Sequence, residues 1–294
     1  MRVVILAGPT GSGKTEICKQ LNPNKFEVLS FDSRQVYKYL SIGTTKPSTE
    51  LREKIPHHLV DYLDPTSTIN ASSFCNEAEV KFQEVIERDK IPVITCGTGF
   101  YLKAFLYGMY DVPTISDEIK EKIFLMSSEE RWELLKSIDL EATNRIHRND
   151  EYRISRALEV NLSGVKWSSL VAKNNSHQMQ RKDFEFIGIW IHWEKNELHR
   201  KIETRAQEII ENGFIEETEF VMNRFGENCP ALKSLGYNFA LDYIHGKITI
   251  ESLNIQFAAC HREYAKRQTT WFKKEPILKS CSWDESLELL KKIT

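Results

Sequence analysis

The chain has 294 residues, 41% hydrophobic and 28% charged, with 40 Lys+Arg against 42 Asp+Glu for a formal charge of −2. That composition excludes collagen-like, disulfide-scaffold and wholly disordered chains, and the near balance of charge means that any surface for a polyanion must be local. The length suits one large domain or two modest ones, able to bury a core without a covalent or metal staple. The longest apolar runs, such as Val3-Val4-Ile5-Leu6-Ala7, fall well short of the ~18 residues that span a bilayer. A strand-like run so close to the N-terminus leaves no room for a cleavable signal, so no membrane contact and a cytoplasmic location are expected. The six cysteines contain no CxxC pair and are expected to be reduced packing residues, with no metal cage.

In chain order, Val3 to Ala7 predicts a strand buried on both faces. A glycine-rich turn follows, then a helix from about Lys14 to Leu21, stopped by Asn22-Pro23. Phe26 to Phe31 predicts a second strand, and Ala71 to Arg88 a helix with Phe74, Ala78, Phe82, Val85 and Ile86 on one face. A third strand runs from Ile91 to Thr95, and Gly97-Thr98-Gly99 opens the next helix, to about Tyr107. Such alternation implies a parallel sheet with helices on both faces. From about Asp111 the texture changes to helical windows near 116–126, 128–136, 139–146 and 150–162, with no convincing strand. The polar stretch from Lys173 to Gln178 is expected to be mobile. Phe184 to His192 restores a strand, followed by helices at about 194–211 (ended by Gly213), 236–245 and 249–272. The fold class expected is α/β, a P-loop parallel-sheet core at 1–110 and 183–294 with an all-helical insertion at 111–182.

The segment Gly8-Pro9-Thr10-Gly11-Ser12-Gly13-Lys14-Thr15 matches GxxxxGK[ST] between a strand and a helix. Its glycines let backbone N–H groups turn inward, the helix start adds partial positive charge, Lys14 supplies a point cation and the Thr15 hydroxyl can ligate Mg²⁺. A diphosphate or longer phosphate chain is expected here. The second strand ends at Asp32, whose carboxylate should face this loop, because carboxyl ends of parallel strands meet in one crevice. It could bind hydrated magnesium, take a proton, or cap a helix starting near Ser33. Thr98, flanked by glycines at the third strand's end, is either another anion-friendly helix start or only a turn. Arg205 lies beside the apolar face of its helix, either snorkelling or reaching a buried anion. Between Gln256 and Lys274, Arg262, Lys266, Arg267, Lys273 and Lys274 stand against Glu263, with Trp271 and Phe272 at the end. Basic residues interleaved with aromatics suit phosphates and unstacked bases. His57 and His58 are neighbours on an extended segment and point to opposite faces, so a structural role is expected over a shared metal.

Ordered blocks along nearly the whole chain then carry a resemblance: GPTGSGKT at 8–15, DSRQVYKYLSIGTTKP at 32–47, PHHLVD at 56–61, GTGFYLKA at 97–104, HRNDEYRISRALEV at 147–160 and AKRQTTWF at 265–272. In this succession the chain resembles the tRNA dimethylallyltransferases, with Cys96 where many members have glycine and Phe100 where many have leucine. The resemblance implies that the loop of Gly8, Pro9, Thr10, Gly11, Ser12, Gly13, Lys14 and Thr15, with Arg205, holds the diphosphate of dimethylallyl diphosphate, with Mg²⁺ on Thr15. It makes Asp32 the general base for the exocyclic N6 of the adenosine 3′ to the anticodon, with Thr10 and Lys14 also catalytic. It places Asp32, Ser33, Arg34, Gln35 and Thr98 nearest the flipped base. Arg153, Ile154, Ser155 and Arg156 would contact tRNA from the insertion, and Lys266, Arg267 and Gln268 from the C-terminal helix. The acceptor would be a tRNA anticodon stem-loop and the enzyme a monomer. The competing readings are a small-molecule kinase using the same loop for ATP, a prenyltransferase acting on free AMP, and a non-catalytic RNA-binding protein.

Overall fold

The computed structural model describes residues 1–109, 112–173 and 181–293. The chain divides into two compact units, one of residues 1–106 and 181–294 and one of residues 107–180.

The first unit is built on a six-stranded sheet of β1 (Arg2–Ala7), β2 (Phe26–Phe31), β3 (His57–His58), β4 (Ile91–Cys96), β5 (Glu185–Ile191) and β6 (Leu278–Cys281). The strand order is β3-β2-β4-β1-β5-β6 and every pairing is parallel. β1 is apolar on both sides because helices cover both faces. Val4, Leu6, Val28, Val93, Ile189 and Ile191 pack on one face with Ile17, Leu51, Leu290 and Ile293. Phe31 meets Phe74 and Phe105 on the other, each with ring centroids 5.1 Å apart. Helices α1 (Lys14–Cys18), α2 (Thr49–Lys54), α3 (Ala71–Glu87) and α4 (Gly99–Tyr107) precede the second unit. Asn70 caps α3 in a reciprocal bond pair with Ser73, which explains where that helix starts.

The second unit contains α5 (Asp117–Phe124), α6 (Ser128–Ile138), α7 (Leu140–Thr143), α8 (Glu151–Leu162) and α9 (Trp167–Lys173). Ile123, Leu135, Ala142, Ile146, Ile154, Ala157 and Leu158 form its own core. Buried Asp139 ties two helix starts, accepting from Ala142 N at 3.2 Å and Ser168 N at 2.9 Å. The polar stretch expected to be mobile lies, from Asn174 onward, outside the described residues.

Returning to the first unit, α10 (Lys195–Ile209) passes through a π-helical turn (Ile210–Phe214) into α11 (Ile215–Phe225); α12 (Tyr237–Ile244), α13 (Ile250–Phe272) and α14 (Trp283–Lys292) follow. Gly213, expected to end its helix, has φ 103° at that junction. Several elements carry no clear pattern in sequence. β3 has two residues and β6 has the burial of an edge, with polar Lys279 and Ser280 outward. The helix after Lys14 is also shorter than expected, ending at Cys18. Among the described residues no helix is long and apolar enough to cross a membrane.

Candidate active site

Strand register sets the site. Ala7 pairs with Cys96, and Cys96 with Phe31, so the chain leaves β1, β2 and β4 at one level. The segments that follow the three strands therefore meet at one crevice, the place where parallel sheets collect ligands, with Thr10, Asp32 and Gly97 on its wall and Gly8 and Pro9 buried behind it. It has a volume of about 1300 Å³, and Thr10, Lys14, Thr15, Asp32, Arg205 and Gln268 are among its lining residues.

The loop between Gly8 and Lys14 turns on Gly11 and Gly13, at φ 79° and 88°, a backbone that side chains disfavour. Two indoles brace it from behind. Trp193 Nε1 donates to Ser12 O at 3.0 Å and Trp283 Nε1 to Gly13 O at 3.3 Å. Lys14 Nζ folds back onto Gly8 O and Pro9 O, at 2.6 and 3.2 Å. Burial, with Arg205 nearby, pushes this ammonium down to about 8, and Asp32 pulls against them. Ser12 Oγ is buried with no partner among the described residues. Taken together these groups form a cradle of donors short of acceptors.

Arg205 reaches the crevice from α10. Its guanidinium donates to Thr10 Oγ1 at 3.0 Å and to Thr45 Oγ1. Burial lowers its affinity for its proton, with Asp32 and Glu208 opposing. Both described bonds go to neutral hydroxyls, so the cation stands ready for an anion beside Thr10. Of the two sequence readings, the side chain is thus directed inward, with its charged end in the crevice.

Asp32 uses one carboxylate oxygen to hold a turn and leaves the other uncovered. A turn follows it, not a helix. Oδ1 accepts from Arg34 N at 2.8 Å and Gln35 N at 3.3 Å, fixing the carboxylate. A Cβ placed on Gly97 would lie 2.9 Å from Oδ2; glycine there keeps that oxygen uncovered. Thr98 Oγ1 accepts from Ser33 N at 3.1 Å, tying the third strand's exit to the same turn. Gln35 is held by Ser30, whose hydroxyl donates to its Oε1 at 2.9 Å, and it donates to Thr44 O and Thr45 O at 3.2 Å each. Arg34 lines the crevice.

The C-terminal helix contributes differently along its length. Gln268 is buried; its Oε1 accepts from Thr10 N and its Nε2 donates to Gly97 O, both at 2.8 Å. Its amide therefore joins two loops of the crevice. Lys266 and Arg267 are exposed and line an open groove of about 520 Å³ with Trp271 and Lys274, and Arg267 also borders the crevice. Trp271 also packs on Gly99, where any side chain would collide with its ring. Arg262, one of the basic residues counted along this helix, pairs with Glu203 at 2.8 Å.

On α8 of the second unit the four expected RNA contacts separate. Arg153 is exposed and paired with Asp150; Arg156 pairs with Glu159 at 2.6 Å. Ser155 accepts from Arg131 at 3.2 Å. Ile154 is 1% exposed in the unit's core, so its side chain packs and does not touch an outside ligand. This corrects the sequence expectation, for a helix in contact on one side buries its other face. His57 donates Nδ1–H to Ile55 O at 2.7 Å and His58 meets Glu27 at 2.7 Å, opposite directions as expected for a strand. Sequence reasoning did not single out Thr45, His261 and Tyr264, which also line the crevice, or Glu217, which binds the loop preceding Thr45; Thr45 alone lay inside a quoted block.

The family model for IPP transferase matches residues 35–275. A tRNA dimethylallyltransferase of Leptospira interrogans is 46% identical over 292 residues, covering 99% of this chain and 98% of the relative. That of Leptospira biflexa is 43% identical, with 98% of each chain covered. Among solved structures, a tRNA delta(2)-isopentenylpyrophosphate transferase from Staphylococcus epidermidis superposes with TM-score 0.71 at 30% identity, over 100% of this chain and 98% of that one. A eukaryotic dimethylallyltransferase superposes at TM-score 0.81 over 96% of this chain and 74% of its own, with 24% identity, and so speaks to fold alone. With a family model over most of its length and near full-length relatives of one name, the chain belongs to the IPP transferase family, as a prenyl-transferring enzyme of the tRNA dimethylallyltransferase group.

Proposed function

We propose that this chain transfers the dimethylallyl group of dimethylallyl diphosphate to N6 of the adenosine 3′ to the anticodon in tRNA, releasing diphosphate. The observation that carries this reading is the meeting of an anion cradle and a fixed carboxylate in one crevice, at Lys14, Thr10, Arg205 and Asp32. The allylic C–O bond breaks as the C–N6 bond forms. Negative charge gathering on the departing diphosphate is met by the loop's N–H groups, by Lys14 and by the Thr10–Arg205 pair. The N6 lone pair is spread into the ring, so loss of its proton to Asp32 Oδ2 as the bond forms makes it a better nucleophile.

Mg²⁺ suits the oxygen donors here, because it binds through few protein groups and keeps waters and phosphate oxygens. Thr15 is the residue that would hold it, and among the described residues there is no cluster of three or more His, Cys, Asp or Glu to form a protein-only cage. Such an ion supplies charge neutralisation to the diphosphate.

The target base must leave the anticodon stack, at a cost of a few kcal/mol. Ser33, Arg34, Gln35 and Thr98 border the place it would occupy, with Lys266, Arg267, Arg153 and Arg156 as RNA phosphate contacts. The setting would be the cytoplasm and the enzyme a monomer. Full-length similarity supports this over the kinase and free-AMP readings. The test incubates the protein with labelled dimethylallyl diphosphate, Mg²⁺ and unmodified tRNA, followed by nucleoside analysis. Label on adenosine N6 beside the anticodon, lost in Lys14→Ala, is the expected result; label elsewhere or none overturns it.

A further inference from the structure

The segment between Lys38 and Lys46 is held in a shape it does not favour unaided. Tyr39 and Thr45 have φ of 68° and 50°, left-handed values that a side chain resists. Between them, three consecutive N–H groups turn to one carboxylate. Ser41 N and Ile42 N donate to Glu217 Oε2 at 2.6 and 2.7 Å, and Gly43 N to Oε1 at 2.9 Å. Tyr237 Oη also donates to Oε1, at 2.7 Å. Converging N–H groups make an anion nest, and the occupant is the protein's own carboxylate. A Cβ on Gly43 would collide with the Tyr237 hydroxyl and the Phe214 ring, so only glycine lets the loop settle onto this anchor.

Two residues on, Thr45 Oγ1 accepts from the arginine whose other arm reaches Thr10. Ser41, Ile42, Gly43, Thr44 and Thr45 line the crevice; Glu217 does not. We infer that Glu217 is a positioning residue of the diphosphate site, acting through the 41–45 loop and Thr45 to aim Arg205 beside Thr10. This rests on the diphosphate reading of the crevice.

Glu217→Gln, Thr45→Val and the double variant are compared by calorimetric titration with inorganic pyrophosphate and by steady-state transfer. The carboxamide keeps the size of Glu217 but turns an NH₂ group toward one set of donors. Each single change is expected to weaken pyrophosphate binding about tenfold, and the double variant no further, as for residues in one chain of contacts. KM for dimethylallyl diphosphate should rise by the same factor, with KM for tRNA unchanged. A merely structural residue would lower the active fraction, so kcat would fall with both KM values intact; that outcome, additive losses, or unchanged pyrophosphate affinity overturns the inference. Should Glu217→Gln not fold, Tyr237→Phe removes one donor to Oε1 and carries the same comparison with a smaller loss. Wild-type protein that binds pyrophosphate but prenylates nothing would sink the function proposed above and leave the Glu217 comparison standing.

Discussion

At the scale of single residues, Asp32 separates two roles that substitutions can pull apart. In Asp32→Asn the remaining carbonyl oxygen still accepts from Arg34 N and Gln35 N, so the turn survives while the proposed proton acceptor is gone. In Asp32→Ala both are lost. Transfer should therefore fall by about 10²–10⁴ in either variant, whereas only Asp32→Ala should also lose stability, by about 1 kcal/mol. Equal stability losses, read by urea titration, would refute the dual role. His261 offers a second test. It is buried on α13, with Nδ1 2.8 Å from Phe257 O, and burial, opposed by that carbonyl and aided by Arg205, pushes it down to about 4. The unfolded chain takes up this proton near 6.5 and the folded one only near 4. Stability is thus full above about pH 6.5 and declines as pH falls through that window, by roughly 2–4 kcal/mol in total. Thermal melts of His261→Gln should show a correspondingly flatter pH profile than wild type.

At the scale of elements, α13 shows how one helix divides its labour. Its inward face supplies Gln268, whose amide joins the first glycine loop to the exit of β4, while its exposed positions carry Lys266 and Arg267. Sequence showed the positive charge and the aromatic end but not the partition, because a helix's facing is decided by what packs on it. Gln268→Met keeps the volume, leaves Thr10 N without its partner and leaves Gly97 O with only the longer bond from the Tyr264 hydroxyl, at 3.4 Å. Chemical denaturation should show a loss of about 1–3 kcal/mol, the cost of one lost donor's partner and one weakened acceptor. The elements legible in sequence were those with strong period or punctuation: β1, the glycine loop, α3, β4 and the two long C-terminal helices. β3 and β6 were not, since an edge strand of two to four residues pairs on one side and needs no apolar pattern. Glu217 was illegible for a related reason. Besides the Tyr237 hydroxyl, its partners are backbone N–H groups more than 170 positions away in sequence, and backbone partners leave no trace in residue identity.

At the scale of the molecule, the chain splits its work between two units with separate cores. The P-loop, Asp32 and Arg205 belong wholly to the first, while Arg153 and Arg156 belong to the second. Ile154→Ala should cost roughly 2–4 kcal/mol in the second core. It is expected to weaken tRNA binding while leaving pyrophosphate affinity in the first unit untouched, checked by paired filter-binding and calorimetric titrations. The change from strand–helix alternation to helical windows near Asp111 was the sequence signal for a helical insertion. The exposed or buried fate of neighbouring positions such as Arg153 and Ile154 was not legible, since that depends on the packing of five short helices around one another.

The two indoles behind the glycine loop have an optical consequence. Trp193 and Trp283 each donate a ring N–H to a carbonyl of that loop, so whatever shifts Ser12 or Gly13 alters the surroundings of a natural fluorophore. Pyrophosphate should change the protein's intrinsic emission, with an amplitude reduced in Trp193→Phe or Trp283→Phe. A bound diphosphate group would then announce its own arrival, with no dye attached.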